Sequence, residues 1–181
     1  MRKFLDTVGR AFQIGEQNEE NEPIGQGAVV TFSEESTVQI FLNQSVTPGE
    51  FSRVINDMPG PLVGGRTRTD IALKQANDEV VVASAGFREN DEDVAKILVV
   101  ITDGKQTRGR GSIPASQAIQ PFHDSGLDVF AIGVGPGVDT EEIRGLVRDP
   151  QNALFPESYT ALNSSVADFV RRFCPGMKNA S

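Results

Sequence analysis

The 181-residue chain has little of what most catalytic and nucleic-acid-binding sites require. It contains one cysteine and one histidine, which make a poor set for nucleophilic or acid–base catalysis. Lysine and arginine number 17 against 25 acidic residues, and the formal net charge is −8. Nucleic acids and acidic membranes are bound through clustered positive charge, so this balance disfavours both as partners. The excess of acidic over basic residues favours cations or basic partners instead.

Long apolar runs are also missing. No run approaches the ~20 residues needed to span a bilayer, so membrane insertion is not expected. The first residues contain no apolar segment typical of a signal peptide, and the chain as written is expected to carry no export signal. Hydrophobic residues nevertheless make up 38% of the chain. That fraction and the length fit one globular domain with a substantial core.

Hydrophobic patterns predict helices that alternate with strands. The ranges expected to be strands are 28–32 and 37–42, joined as a hairpin, and the buried runs 96–102 and 127–134, with a short last strand at 153–155. The ranges expected to be helices are 2–14, 48–58, 70–83, 112–124 and 161–173. The alternation predicts an α/β sandwich with helices on both faces of a mostly parallel sheet. The 37–42 strand is expected at its antiparallel edge.

Two polar side chains are expected at the carboxyl ends of the strands, where open α/β sheets bind ligands. Asp103 directly follows the buried strand 96–102, and Thr67 lies in the loop that leads into a helix. A carboxylate and a hydroxyl at one edge suit a hard cation such as Mg²⁺, which retains several waters. The alternative is that Asp103 caps a turn and Thr67 caps a helix.

Four stretches together resemble von Willebrand factor A domains. They are GGRTRTDIAL at 64–73, KILVVITDG at 96–104, GLDVFAIGVGPG at 126–137 and the closing stretch 158–174. Their order is the family's order, and matrix domains of the collagen and matrilin type are the most similar. The resemblance implies a Rossmann-like sandwich, with residues 1–174 as a single domain and 175–181 as a C-terminal tail.

The resemblance also implies a metal-ion-dependent adhesion site. The family's metal-binding threonine falls on Thr67, with Thr69 as the alternative, and its aspartate falls on Asp103. The family's D-x-S-x-S loop has no match in this chain. Binding of Mg²⁺, or of Mn²⁺ or Ca²⁺, is therefore expected to be weak.

A second departure concerns the sheet. The chain opens directly in what resembles the family's first helix, so the central first strand is expected to be missing. Its absence predicts a slot between strands 28–32 and 96–102, with unpaired backbone groups on both sides. Cys174 resembles the family's closing cysteine, whose partner often lies before the first strand. The chain is therefore expected to be part of a larger multidomain protein.

The expected function is that of an extracellular adhesion module that binds collagen or another matrix component. Three N-x-S sequons, at Asn43, Asn163 and Asn179, fit secretion. Two alternatives remain, namely a structural domain without metal dependence and a cytosolic member of a multi-subunit complex.

An enzyme is disfavoured by the motifs themselves. Haloacid-dehalogenase-like enzymes need a second aspartate two positions after Asp103, where this chain has Lys105. The glycines at 133–137 do not complete a dinucleotide fingerprint, because position 138 is valine. His123 is expected on a helix surface, outside any site.

Overall fold

The computed structural model describes residues 1–47, 49–58, 65–164 and residue 170. The described helices are α1 (Arg2–Ala11), α2 (Glu50–Asp57), α3 (Thr69–Gln75), α4 (Ala115–Ala118), α5 (Gln120–Asp124), α6 (Thr140–Arg144) and α7 (Tyr159–Ser164). The described strands are β1 (Val29–Phe32), β2 (Ser36–Ile40), β3 (Ile97–Thr102), β4 (Asp128–Gly133) and β5 (Ala153–Leu154). The predicted alternation of helices and strands is confirmed. None of the helices in the described ranges is long and apolar enough to cross a membrane.

The five strands form two sheets. β1 and β2 make the expected antiparallel hairpin, in which Val30 lies opposite Val38. β3, β4 and β5 run parallel in the order β3-β4-β5, and Ile101 of β3 lies opposite Ile132 of β4. No described residue forms a strand between β1 and β3, and these two strands are not paired with each other. The predicted slot between them is confirmed.

Helices cover both faces of these strands, because side chains of a strand alternate between its two faces. On one face, α3, α4, α5 and α6 pack on Val100, Val129 and Ala131. On the other, α1 and α7 pack on Phe130 and Ile132, while α2 packs with Ile40 at the hairpin. The strands of the parallel sheet contribute to both cores, as expected for a sheet layered between helices.

The loops at the carboxyl ends of β1 and β3 are tied together by backbone hydrogen bonds. The Arg68 amide donates to the Ser33 carbonyl just after β1, at 2.9 Å. The Thr107 amide, beyond β3, donates to the Thr67 carbonyl at 2.8 Å. Because the segment around Thr67 holds both loops, β1 and β3 end at the same edge of the molecule.

Several helix limits differ from those predicted. α2 begins at Glu50 with Gly49 as its N-cap, and Pro48, expected at the first position of this helix, lies outside the described residues. Gly49 has a φ of 80°, a left-handed conformation that glycine adopts without steric cost. α3 is also shorter than expected, since it gives way to a π-helical turn at Ala76–Val80.

The expected 112–124 helix is divided into α4 and α5. α4 begins only at Ala115, after Pro114 in an extended conformation. The described part of the closing helix is α7, in which Leu162 is buried, and Val170 packs against the same core. Val166, Phe169 and Cys174 lie outside the described residues.

Candidate functional site

Thr67 and Asp103 lie at the common carboxyl edge of β1 and β3. Both residues line the cavity that lies between β1 and β3. A Cβ atom placed on Gly104, next to Asp103, would be 3.0 Å from the Thr67 hydroxyl oxygen. The structure therefore brings the two residues singled out from the sequence into one neighbourhood.

The backbone of Thr67 is fixed from two directions. Its amide donates to the Thr107 hydroxyl oxygen at 3.2 Å, and its carbonyl accepts from the Thr107 amide at 2.8 Å. Gly104 leaves room for the Thr67 side chain, since any larger residue would crowd its hydroxyl. These contacts hold the hydroxyl beside the end of β3. No local pattern in the sequence indicates that Thr107 positions this side chain.

Asp103 is exposed, and one of its carboxylate oxygens accepts a hydrogen bond from the Tyr159 hydroxyl at 3.1 Å. Burial of Tyr159, together with the negative charge of Asp103, raises the pKa of this phenol to about 12. The hydroxyl therefore stays protonated at neutral pH and remains a donor to the carboxylate. Any metal that takes this oxygen must compete with Tyr159. Because Tyr159 is distant from Asp103 in sequence, the sequence patterns did not reveal this contact.

The carbonyl of Asp103 is approached closely by the loop after β4. A Cβ atom on Gly137 would lie only 2.6 Å from the Asp103 carbonyl oxygen, closer than real Cβ contacts. Glycine at this position therefore allows the two loops to meet. Part of the glycine-rich segment 133–137 therefore serves packing at the site.

The alternative that Thr67 and Asp103 act as caps finds no support in the described contacts. The N-cap of α3 is Arg68, with no side-chain capping bond. In the turn after β3, the Gly104 amide donates to the hydroxyl of Thr102, at 3.3 Å, and not to Asp103. Thr67 and Asp103 are therefore not used as caps here.

Neighbouring acidic side chains are already engaged. Asp139 caps α6, and it forms an ion pair with Lys105 at 2.5 Å that lowers the pKa of the carboxyl. The Glu142 carboxylate accepts a hydrogen bond from the Gln106 amide at 2.9 Å. Burial raises the pKa of Glu142, against the effect of that hydrogen bond. Of Asp103, Asp139 and Glu142, Asp103 alone lines the cavity between β1 and β3.

Thr69, the alternative threonine, is in a different setting. It is 1% exposed, and its hydroxyl oxygen has no hydrogen-bond partner. It lines the slot cavity from the first residue of α3. Thr67, half-buried beside Gly104, is the better placed of the two for the solvent edge.

The donor atoms fit a hard divalent cation only in part. A carboxylate and a hydroxyl are oxygen ligands of the type that Mg²⁺ prefers, and water supplies the remaining positions in many magnesium sites. No group of three or more His, Cys, Asp or Glu side chains in the described ranges is arranged to hold a metal. These two residues could supply two oxygen ligands to one cation, with water at its remaining positions.

A buried ion pair supports the loop beneath the site. The Arg68 guanidinium donates to both carboxylate oxygens of Asp70, at 2.8 and 2.9 Å. This pairing lowers the pKa of the Asp70 carboxyl, and the Gln106 side chain adds to the effect. Because Arg68 also binds Ser33 and Gln106 follows β3, the pair links the two sheets across the slot.

His123 is not on a helix surface as expected. It is 5% exposed, and its Nε2 lies 3.0 Å from the Leu146 carbonyl oxygen. α5 packs on β4, and this places the ring in the core between α5 and the end of α6. The contact gives His123 a structural role, remote from Asp103.

Comparisons with known proteins agree with this geometry. The family model of the von Willebrand factor type A domain matches residues 1–168. Matrilin-1 of Mus musculus is 32% identical over 117 residues, which cover 63% of this chain and 22% of matrilin-1. Collagen alpha-4(VI) chain of Mus musculus is 29% identical over 174 residues, which cover 96% of this chain and 7% of the collagen. The chain thus spans less than a quarter of each of these relatives.

Among solved structures, proximal thread matrix protein 1 from the mussel byssus has a TM-score of 0.81 at 25% identity. The match covers 96% of this chain and 42% of that protein. A structure of the same protein, described as having a zinc-occupied MIDAS motif, gives a TM-score of 0.83 at 24% identity. The family match, the fold and the placement of the four sequence motifs agree, and the chain belongs to the von Willebrand factor type A domain family, with matrix-type relatives.

Proposed function

We propose that this domain is an extracellular-matrix module that binds a protein ligand at the edge formed by Thr67 and Asp103, with a divalent cation. The supporting observation is that the Thr67 hydroxyl lies beside Gly104, the residue after Asp103, and that Thr67 and Asp103 line the same cavity where β1 and β3 end. Thr67 and Asp103 would hold Mg²⁺, and the bound ion would attract a carboxylate of the ligand. Collagen or another matrix component is the proposed ligand, because the similar proteins include a collagen chain and a matrilin.

An extracellular location and a role in a larger chain are part of the proposal. The similar proteins are several times longer than the region that matches. Of the three sequons, Asn43 has an exposed side chain, whereas the side-chain oxygen of Asn163 is buried and Asn179 lies outside the described residues. Asn43 is therefore the sequon at which glycosylation is expected. Binding, and not catalysis, is proposed as the activity.

Replacing Asp103 tests the metal site directly. Asp103→Ala removes the carboxylate proposed as the metal ligand, so Mg²⁺ affinity should fall by more than about tenfold. Isothermal titration with Mg²⁺ measures the affinity, and binding to immobilised collagen with and without chelator measures the consequence. Asp128→Ala is the matched control, since Asp128 is exposed at the opposite end of β4. Equal Mg²⁺ affinity for both variants would contradict the assignment of the site.

A structural domain without metal dependence is the second candidate. It is favoured by the Tyr159 hydrogen bond, which occupies one Asp103 oxygen. In that case collagen binding, or any other matrix interaction, would be insensitive to chelator. Measuring collagen binding by the wild-type domain with and without chelator therefore distinguishes the two candidate functions before any variant is made.

A further inference from the structure

The loop that follows β3 carries positive charge on an otherwise acidic domain. Residues 104–123 contain no aspartate or glutamate, although the chain has 25 acidic residues in all. Lys105, Arg108 and Arg110 lie in this stretch, and all three are exposed. Residues 107–113 are named the arginine loop, because Arg108 and Arg110 are its only charged side chains. An anion near this loop is attracted by both arginines, and no carboxylate of the loop opposes them.

The two guanidinium groups of the arginine loop are not engaged by other parts of the domain. Lys105, just before the loop, is paired with Asp139. Arg108 interacts electrostatically with Lys105 and Glu142, but neither Arg108 nor Arg110 forms an ion pair or a side-chain hydrogen bond with a described residue. Both guanidinium groups are thus available to a ligand. Each can donate two hydrogen bonds to one carboxylate, which is the strongest pairing that arginine makes with an acidic side chain.

Hydrogen bonds at the base and the tip of the arginine loop fix its shape. Gln106, at the base, is 4% exposed, and its side chain donates to the Ile113 carbonyl at 2.8 Å and accepts from the Ala115 amide at 2.9 Å. At the tip, the Ser112 hydroxyl accepts from the Gly109 amide and donates to the Gly109 carbonyl, both at 2.9 Å. Because the backbone of the loop is already ordered, a ligand loses little binding free energy in ordering it.

The arginine loop lies directly beside the edge proposed to bind the ligand. Thr107 begins the loop, and both its amide and its hydroxyl are hydrogen-bonded to the backbone of Thr67. At the other end of the loop, Ile113 is 41% exposed and offers an apolar contact. A protein ligand that reaches Thr67 and Asp103 would therefore meet the loop as part of the same interface, with arginine and an apolar side chain as its contacts.

We propose that the arginine loop binds an acidic segment of the ligand protein, whose aspartate or glutamate side chains pair with Arg108 and Arg110. This inference rests on the proposed function, since it takes the ligand to be a protein bound at the edge formed by Thr67 and Asp103. A sulfated polysaccharide is the less suitable occupant. Its dense negative charge continues along the whole polymer and is repelled by a domain of net charge −8 beyond the loop. A short acidic segment contacts the loop without that repulsion.

The probe is a fluorescent peptide in which glutamates alternate with glycines, and its control peptide has glutamine in place of every glutamate. Fluorescence anisotropy measures the affinity of each peptide for the full chain, once with Mg²⁺ and once with chelator. With chelator, the glutamate peptide should bind the wild type about tenfold more tightly than the glutamine peptide, because glutamine forms no ion pair with arginine. This arm of the experiment measures the arginine loop apart from the metal site.

Variants of the two arginines locate the binding. Arg108→Gln combined with Arg110→Gln should weaken binding of the glutamate peptide by about tenfold or more. Arg10→Gln combined with Arg53→Gln is the matched control, since it removes the same charge from exposed side chains of α1 and α2 and should change the affinity by less than about twofold. Arg108→Lys combined with Arg110→Lys should retain part of the binding, because lysine keeps the charge but cannot pair with both carboxylate oxygens in the same geometry.

The outcomes separate this inference from the proposed function. The inference is overturned if the wild type does not distinguish the two peptides in chelator, or if the two glutamine double variants bind the glutamate peptide equally. Heparin serves as the polysaccharide probe. Tighter binding of heparin than of the peptide, with the same dependence on Arg108 and Arg110, would overturn the inference in favour of a polysaccharide. If the arginine dependence persists but Mg²⁺ does not change peptide affinity, the inference holds and the metal-dependent part of the proposed function fails.

Discussion

β3 and β4 are neighbours of equal length, yet they differ in burial. Five of the six residues of β4 are buried, against two of the six in β3. The sequence would suggest the reverse, because β3 has an unbroken apolar run at Ile97–Ile101 while β4 begins with Asp128 and ends with Gly133. β4 is paired on both edges and β3 on one. Burial of a strand here depends on its neighbours more than on its own hydropathy.

The largest expected effect comes from testing this difference with the same substitution in both strands. Ile101 and Ile132 are opposite each other in the sheet, and Ile132 is 0% exposed while Ile101 is half-buried beside the slot. Ile132→Ala should lower the free energy of unfolding by about 3–4 kcal/mol, because it leaves a cavity in a packed core. Ile101→Ala should cost about 1–2 kcal/mol, since part of its surface already faces the slot. Urea unfolding monitored by circular dichroism measures both.

If the two variants lose equal free energies of unfolding, β3 and β4 do not differ in burial in solution. Equal losses would mean that the slot side of β3 is covered in solution, by self-association or by a bound segment. Repeating the measurement over a range of protein concentrations distinguishes these, because self-association makes the stability concentration-dependent.

An intermediate effect is expected from the ion pair that links the two sheets. Asp70 is 5% exposed and Arg68 keeps 19% of its side chain exposed. Asp70→Asn should destabilise the domain by about 2 kcal/mol. This is less than the ~3–5 kcal/mol for breaking a fully buried pair, because Arg68 stays partly hydrated. Asp57→Asn, which removes the partner of Arg53 in an exposed pair on α2, should cost little.

The pH dependence of the Asp70 effect has a defined direction. Because Arg68 lowers the pKa of Asp70 in the folded state, the unfolded chain binds this proton more readily. The stabilisation is present above the unfolded-state pKa of ~3.9 and is lost as the pH falls through the folded-state pKa. The difference between wild type and Asp70→Asn should therefore be constant from pH 7 to about pH 5 and shrink in stronger acid. A difference that grows on acidification would contradict the role assigned to the pair.

The sequence was most informative where local patterns act alone. The apolar runs predicted β3 and β4 within one or two residues, and the short link after Phe32 predicted the hairpin. It was less informative where a helix is interrupted. Gly49 and Pro114 moved the beginnings of α2 and α4, because backbone conformation at these residues outweighs the pattern of apolar positions.

Candidate site residues were predictable when they directly follow a strand or a recognisable motif, as Asp103 and Thr67 do. Contacts between distant segments were not. Tyr159 reaches Asp103 across 56 positions, and His123 is buried because α5 packs near Leu146. Such pairs follow from tertiary packing, and neither residue carries a local signal of its partner.

The smallest expected effect on stability concerns the end of β3, where Tyr159 meets Asp103. Tyr159→Phe should change the free energy of unfolding by about 1 kcal/mol or less, since it removes one hydrogen bond at an exposed carboxylate. It should raise Mg²⁺ affinity by about fivefold, because the ion no longer competes with the hydroxyl for the Asp103 oxygen. With the pKa of Tyr159 raised to about 12, the gain should be the same from pH 6 to pH 9. Ser158→Ala is the control, because the Ser158 hydroxyl oxygen accepts from the Ala161 amide at the beginning of α7 without contacting Asp103. If both variants change Mg²⁺ affinity alike, disturbance of α7 is the cause, and the hydroxyl does not govern access to Asp103.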